Sequence, residues 1–272
     1  MQDASSVTHR FSRAAATYDS SVGVQAMVAG AVADMFKKIG PFDRVLEVGC
    51  GSGLLTEKAC HGPTLSGAEF IALDISKEML TRTQRKLHAQ CPAQWIHRDF
   101  LAYEPKALFD CIISSSALHW ILPLEQAIGQ CRRLLSQRGQ LVFGMMIAGT
   151  LAELHGARRH IAPSQPVKDP LPQDEEIEEM LTSNGFSIKA HRIATYREEF
   201  SSAETFLKTL HNRGVTGGGI SHGDRLLSRK EMKDLTRWYN LHYRTESGGV
   251  FATYQVLFIH AVREEPLCGA SS

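Results

Sequence analysis

Between positions 24 and 36 the apolar residues Val24, Met27, Val28, Ala31, Val32, Met35 and Phe36 recur three and four apart. That spacing puts them on one helical face and predicts a helix over residues 24–39, which Pro41 ends. Arg44-Val-Leu-Glu-Val48 then reads as a short buried strand, and it passes directly into Gly49-Cys-Gly-Ser-Gly53 and a second helical stretch from Leu54. The rhythm repeats. Glu69-Phe-Ile-Ala-Leu-Asp74 reads as a strand, and Ser76 as the N-cap of a helix reaching about residue 90, with Glu78 in its first turn. Strands follow at residues 94–97, 109–114 and 139–145, with a helix over 124–135 between the last two. Strands alternating with helices imply an α/β fold, a mostly parallel sheet with right-handed crossovers and helices on both faces.

Beyond Met146 the pattern changes. A short helical piece over 151–159 is followed by Pro163, Pro166, Pro170 and Pro172, which reads as an insertion. Residues 175–183 and 185–191 resume helix and strand, and 254–262 reads as a final strand, expected to run antiparallel. About sixty residues separate those last two strands, far more than an ordinary loop holds, so helices over 203–212 and 228–241 are expected to form a lid over the active face. The organisation read from the chain is therefore cap helices in 1–40, a cofactor-binding core in 41–146 and a lid insertion in 147–172. A core continuation in 173–194, a helical lid in 195–250 and a final core strand in 251–264 complete it.

The chain has 272 residues, 43% of them apolar, enough for one large domain with an insertion. Thirty basic residues against 29 acidic ones leave a net charge of +1, so no overall field draws the protein to nucleic acid or an anionic membrane. No apolar run reaches the length of a membrane span, and the polar N-terminus lacks a secretory pattern. The cysteines at 50, 60, 91, 111, 131 and 268 form no C-x-x-C pair and no zinc spacing. Free, mostly buried thiols, no metal and a reducing cytoplasm are the expectation.

Candidate chemistry lies where the first strand ends. Glu47-Val-Gly-Cys-Gly-Ser-Gly53 occupies the strand-to-helix turn at which open α/β sheets bind nucleotides. Gly49, Gly51 and Gly53 let the backbone turn and approach a ligand, and the following helix N-terminus suits a carboxylate. The spacing is G-x-G-x-G with Leu54 next, where a dinucleotide fingerprint needs glycine or alanine, so NAD is disfavoured. Asp74, at the end of the next strand, is placed to accept from two ribose hydroxyls, and Asp99-Phe100 to meet an adenine amino group and its ring. Together they describe adenosine joined to an amino acid. The alternatives are local: Asp74 as a cap for the helix near Ser76, and Asp99 as the opening of a turn.

With those residues, and Ser114-Ser-Ser-Ala-Leu-His-Trp120 after the fourth strand, positions 45–146 resemble the core of class I S-adenosylmethionine-dependent methyltransferases. Ser115 stands where many relatives carry asparagine. The flanks resemble the malonyl-acyl-carrier-protein O-methyltransferases of biotin synthesis: Arg10-Phe-Ser-Arg-Ala-Ala-Ala-Thr-Tyr-Asp19 with Gln25, Gly149-Thr-Leu-Ala-Glu-Leu154, Phe206-Leu-Lys-Thr-Leu-His-Asn-Arg-Gly-Val-Thr216, and Gly249-Val-Phe-Ala-Thr-Tyr-Gln-Val-Leu-Phe-Ile-His260. The resemblance implies S-adenosylmethionine as cofactor and malonyl-acyl-carrier protein, or malonyl-coenzyme A, as acceptor. It adds Tyr18, Gln25, Glu47, Ile75, Met79 and Ser115 to the glycines, Asp74, Asp99 and Phe100 as cofactor candidates.

A malonyl carboxylate is ionised at neutral pH, so a methyl acceptor of this kind needs no general base. It does need a partner when buried, and Tyr18, His119, Trp120, His211 and Arg213 are the candidates on the acceptor side. Arg158-Arg159 and the basic residues at 225, 229, 230, 233 and 237 are candidates for docking an acidic carrier. Two other readings stand beside this one: an O-methyltransferase of a free small carboxylic acid, and a non-catalytic module that binds S-adenosylmethionine or carrier protein.

Overall fold

The first strand and the glycines that follow it set the frame for everything around them. The computed structural model describes residues 12, 23–61, 63–65, 67–164, 171–215 and 227–265. Helix α1 (Gly23–Ile39) leads into β1 (Arg44–Val48), α2 (Leu54–Cys60), β2 (Glu69–Asp74), α3 (Lys77–Leu87) and β3 (Ala93–His97). Then come β4 (Phe109–Ser115), α4 (Leu124–Leu134) and β5 (Leu135–Met146). After α5 (Ala152–Ile161) and α6 (Asp174–Ser183) follow β6 (Phe186–Phe200), α7 (Ala203–Asn212), α8 (Arg229–His242) and β7 (Val250–Arg263).

The seven strands found among the described residues form one sheet in the order β3-β2-β1-β4-β5-β7-β6. The pairs from β3 to β5 are parallel, with Leu46 of β1 set between Ile71 and Ile112. β7 is the antiparallel member: its end bonds back to the start of β6 through Glu264 N–H and the Gly185 carbonyl at 2.9 Å, and His260 pairs with Gln140 of β5 at 2.7 Å. Central strands are fully covered, as crossover helices on both faces require. Val28 and Val32 of α1 and Phe258 of β7 close so tightly on Gly144 that a Cβ there would lie 2.8–2.9 Å from them.

The chain divides into two compact units. One holds Gln25–Met145, Asp174–Arg192 and Leu257–Ser272, with the glycine turn and the β1–β5 strands. The other holds Met1–Val24, Met146–Gln173 and Ile193–Val256. Within this second unit α8 carries a full capping box, the Ser228 side chain accepting from Glu231 N–H while the Glu231 carboxylate accepts from Ser228 N–H. Buried Tyr239 donates to the Phe251 carbonyl at 2.7 Å and packs on Phe206.

Three expectations need correction. The strand expected over 185–191 continues to Phe200, so the residues at 195–200 expected to begin a helical lid are strand instead. β5 begins at Leu135, directly after α4, rather than at 139. Cys60 and Cys91 are not free thiols but a disulfide, their Cα atoms 5.5 Å apart, while Cys50, Cys111 and Cys131 are free and buried.

Candidate functional site

The glycine turn is left-handed three times over, with φ of +70° at Gly49, +51° at Gly51 and +81° at Gly53. Gly49 lies hard against Ala117, so a side chain there would collide with the segment after β4. At Gly51 a Cβ would meet no protein atom within 4 Å. The turn is therefore closed toward the sheet and open at its apex, where backbone can approach a ligand. It is held in place by the Thr83 hydroxyl, which donates to the Gly51 carbonyl at 2.6 Å, and by Gly49 N–H on the Leu73 carbonyl at 2.8 Å.

Asp74 is 8% exposed. One carboxylate oxygen accepts from Gly51 N–H and the other from Ser76 N–H, both at 2.7 Å. Ser76 itself caps α3, its hydroxyl accepting from Met79 N–H at 3.3 Å. Asp74 thus braces two turns while each oxygen keeps a second lone pair for a ligand. Burial raises its pKa, and the N–H bonds from Ser76 and Gly51 oppose the rise. Glu47, 1% exposed, accepts the Thr56 hydroxyl at 2.7 Å. Burial pushes its pKa up to about 8. Asp99 opens a 3-10 turn, accepting Leu101 N–H at 2.9 Å, with Phe100 buried behind it. Met79 is buried; Ile75 and Ser115 are half-buried.

Among the described residues six buried polar atoms of this unit have no hydrogen-bond partner; apart from the arginine Nε atoms of Arg44 and Arg263 they are Gln25 Oε1, Ser52 Oγ, Ser116 Oγ and His119 Nδ1. Ser52 lies in the glycine turn, and Ser116 and His119 follow β4, the strand beside β1. Each such atom costs about 1–3 kcal/mol when it is left unmade, which is hard to sustain four times without a ligand that satisfies them. A ligand rich in polar groups, as an adenosine joined to an amino acid is, fits that demand together with the open apex at Gly51. Ser52, Ser116 and Thr83 were not singled out by sequence; Ser52 and Ser116 lay inside quoted motifs, and Thr83 carries no pattern of its own.

His119 is 7% exposed, in the short turn Leu118–Trp120, its ring centroid 5.2 Å from that of half-buried Trp120. Burial lowers its pKa to about 3, so the imidazole is neutral. In the second unit His211 is exposed in the last turn of α7. Arg213, 2% exposed, grips Glu198 with two nitrogens at 2.6 and 2.8 Å and reaches the Tyr254 hydroxyl at 3.3 Å. Glu198 and Tyr254 were unforeseen partners. Arg158 is buried, whereas Arg159, Arg229, Lys230, Lys233 and Arg237 are exposed. Tyr18 and Arg225 lie outside the described residues.

Residues 46–141 match a family described as a methyltransferase domain. The chain is similar to a malonyl-[acyl-carrier protein] O-methyltransferase of Anoxybacillus flavithermus, 30% identical over 263 residues, covering 95% of this chain and 97% of that protein. One of the same name from Herminiimonas arsenicoxydans is 30% identical over 257 residues, covering 92% and 93%. Among solved structures the YcgJ protein of Bacillus subtilis superposes with a TM-score of 0.59 at 17% identity, over 88% of this chain and 98% of that one, a likeness of fold.

Proposed function

The chain belongs to the malonyl-[acyl-carrier protein] O-methyltransferase family, and from that premise we propose how its residues divide the work of methylating a malonyl thioester. The protein is an S-adenosylmethionine-dependent methyltransferase that esterifies the free carboxylate of malonyl-acyl-carrier protein, the step that starts pimeloyl synthesis for biotin. S-adenosylmethionine supplies an electrophilic methyl on a sulfonium. Gly49, Gly51 and Gly53 bring backbone to it, Asp74 takes the ribose hydroxyls, and Asp99 and Phe100 attend the adenine. Glu47, Gln25, Ile75, Met79, Ser115 and Tyr18 complete the cofactor side. The observation that carries this assignment is the set of orphaned buried atoms at Ser52, Ser116 and His119, in the open glycine turn and in the segment whose Ala117 abuts Gly49.

On the acceptor side stand Tyr18, His119, Trp120, His211 and Arg213. The carboxylate is already charged at neutral pH, so these residues orient it rather than deprotonate it, and rate comes from holding oxygen, methyl carbon and sulfur in line with water excluded. A neutral His119 offers a hydrogen bond, not a countercharge. Arg213 has its charge balanced by Glu198, so it serves the acceptor side as framework and not as a countercharge. No described helix is long and apolar enough to cross a membrane. The near-zero net charge supports a reading without nucleic acid partners.

The test is transfer of labelled methyl to malonyl-carrier protein, malonyl-coenzyme A, free malonate and succinyl-carrier protein, side by side. The carrier-bound malonyl group should react fastest. Succinyl-carrier protein should be slower, because one more methylene moves its carboxylate off the line of attack. Free malonate reacting as well as the carrier form would sink the carrier reading and leave an O-methyltransferase of small acids.

A further inference from the structure

The pairing of Cys60 with Cys91 serves neither the methyl donor nor the acceptor directly, yet it joins the two helices whose first turns build the cofactor site. Helix α2 is only seven residues long; its N-cap is Gly53, and its last residue is Cys60. Helix α3 starts at the Ser76 cap, two residues after Asp74. Cys91 follows its end, with its N–H on the Leu87 carbonyl at 2.9 Å. At the cofactor end the helices are tied by Thr83 on the Gly51 carbonyl, and a Cβ on Gly53 would run into Thr83 and Leu87. At the far end the ties are the disulfide and a 2.9 Å ion pair between Lys86 and Glu57, both about 40% exposed and therefore weak.

We propose that Cys60 and Cys91 are a reversible thiol–disulfide clamp that sets the affinity for the adenosyl cofactor. Closed, it fixes α2 against α3 and so preorganises the glycine turn and the Asp74 brace; open, it leaves the exposed Lys86–Glu57 ion pair to carry that tie. The Cα separation of 5.5 Å suits a bridge without backbone movement. Access suits it as well. Cys60 is half-buried and reachable, and Cys91, 2% exposed, lies behind it. The free cysteines 50, 111 and 131 are buried with their thiol pKa values raised, to about 12 for Cys131, so they hold little of the reactive thiolate. In a reducing compartment a disulfide of this kind is a transient, sensing one.

The chemistry needs only a disulfide oxidant such as glutathione disulfide. The Cys60 thiolate attacks one of its sulfurs and expels a glutathione thiolate. The Cys91 thiolate then attacks the Cys60 sulfur of the mixed disulfide and expels the second. Two protein thiols lose two electrons and two protons, and one glutathione disulfide becomes two glutathiones.

The full chain, equilibrated with glutathione disulfide or with dithiothreitol, is mapped by peptide mass spectrometry and titrated calorimetrically with S-adenosylhomocysteine. The oxidised protein should yield a linked Cys60–Cys91 peptide and bind about three-fold to ten-fold more tightly than the reduced protein, the size of a modest preorganisation effect. Cys60→Ser should bind like the reduced protein under both conditions, and Cys91→Ala is the second variant if Cys60→Ser does not fold. Absence of the linked peptide, or equal affinity of the two wild-type forms, overturns the proposal.

Discussion

The glycine-turn carboxylates of the first unit and the Arg213–Glu198 pair of the second hold charge in opposite ways. In the first, the carboxylates of Glu47 and Asp74 are buried and held by neutral donors, the Thr56 hydroxyl for one and the N–H groups of Gly51 and Ser76 for the other. Burial raises both pKa values, Glu47 to about 8. In the second, Glu198 faces the Arg213 guanidinium across two short hydrogen bonds. With its pKa at about 8, Glu47 is mostly protonated at neutral pH, and a ligand carrying a sulfonium and an ammonium would favour its ionised form. The Arg213–Glu198 pair is complete within the protein. Glu153 of the second unit is also buried on neutral donors, the N–H and hydroxyl of Thr253, so the contrast holds between the glycine-turn carboxylates and the Arg213–Glu198 pair and not between every buried charge of the two units.

The comparison breaks most easily at Arg213. Arg213→Ala leaves the Glu198 carboxylate and the Tyr254 hydroxyl without their donor, and loss of one partner of a buried pair implies about 3 kcal/mol of destabilisation. Denaturant unfolding should show that loss, while binding of S-adenosylhomocysteine stays unchanged. An unshifted unfolding midpoint with a selective fall in malonyl transfer would move Arg213 from framework to acceptor site. Glu198→Gln combined with Arg213→Met should recover much of the stability, since both charges are then gone.

A smaller effect is expected in the first unit. Asp74→Ala removes the acceptor for ribose and also the brace on Gly51 and Ser76. Calorimetry should find S-adenosylhomocysteine weakened by about 2 kcal/mol, about 30-fold, the size of lost charge-assisted bonds. Unfolding should respond less than to Arg213→Ala, because the mutation also removes a buried carboxylate that burial disfavours. Full affinity in the variant would take Asp74 out of the site.

The contrast between the units also explains what the sequence could reveal. The glycine turn, its strand and Asp74 were legible because a buried strand reads as an apolar run and a left-handed turn demands glycine, both local rules. β6 was read short because it is an edge strand: from Lys189 to Arg197 its residues are mostly exposed, so no apolar alternation marks its continuation to Phe200. β5 was read short for a related reason, since Ser-Gln-Arg-Gly-Gln at 136–140 is too polar to look like strand. The helices over Ala203–Asn212 and Arg229–His242 were expected because the gap between the last two strands is too long for a loop. What joins them was not: Glu198 lies 15 residues from Arg213 and Tyr254 lies 41 from it. Cys60 and Cys91 are 31 apart with no motif between them. Tertiary pairings of this kind leave no trace in local pattern.

His119 sharpens the comparison with the smallest expected effect. It belongs to the first unit, is buried, and has an Nδ1 without a partner among the described residues, an unmet polar group that a ligand would satisfy. A cationic His119 would be a countercharge for the malonyl carboxylate, and methyl transfer would fall as pH rose through the usual histidine range. The structure gives the other sign. Burial depresses the pKa from 6.5 to about 3, so the ring is neutral wherever the enzyme is assayed. The rate should therefore show no ionisation from this residue between about pH 6 and 8, and His119→Asn should lower the rate without changing the shape of the profile. Stability carries the same signature. A depressed pKa means the unfolded chain takes up the proton first, so the contribution is present in full above 6.5 and is lost as pH falls toward about 3. His119→Asn should flatten that part of the acid unfolding curve. A wild-type rate that declines from about pH 6 to 8 and loses the decline in the variant would make His119 a cation after all, and the division between ligand-facing and framework charges would fail at that residue.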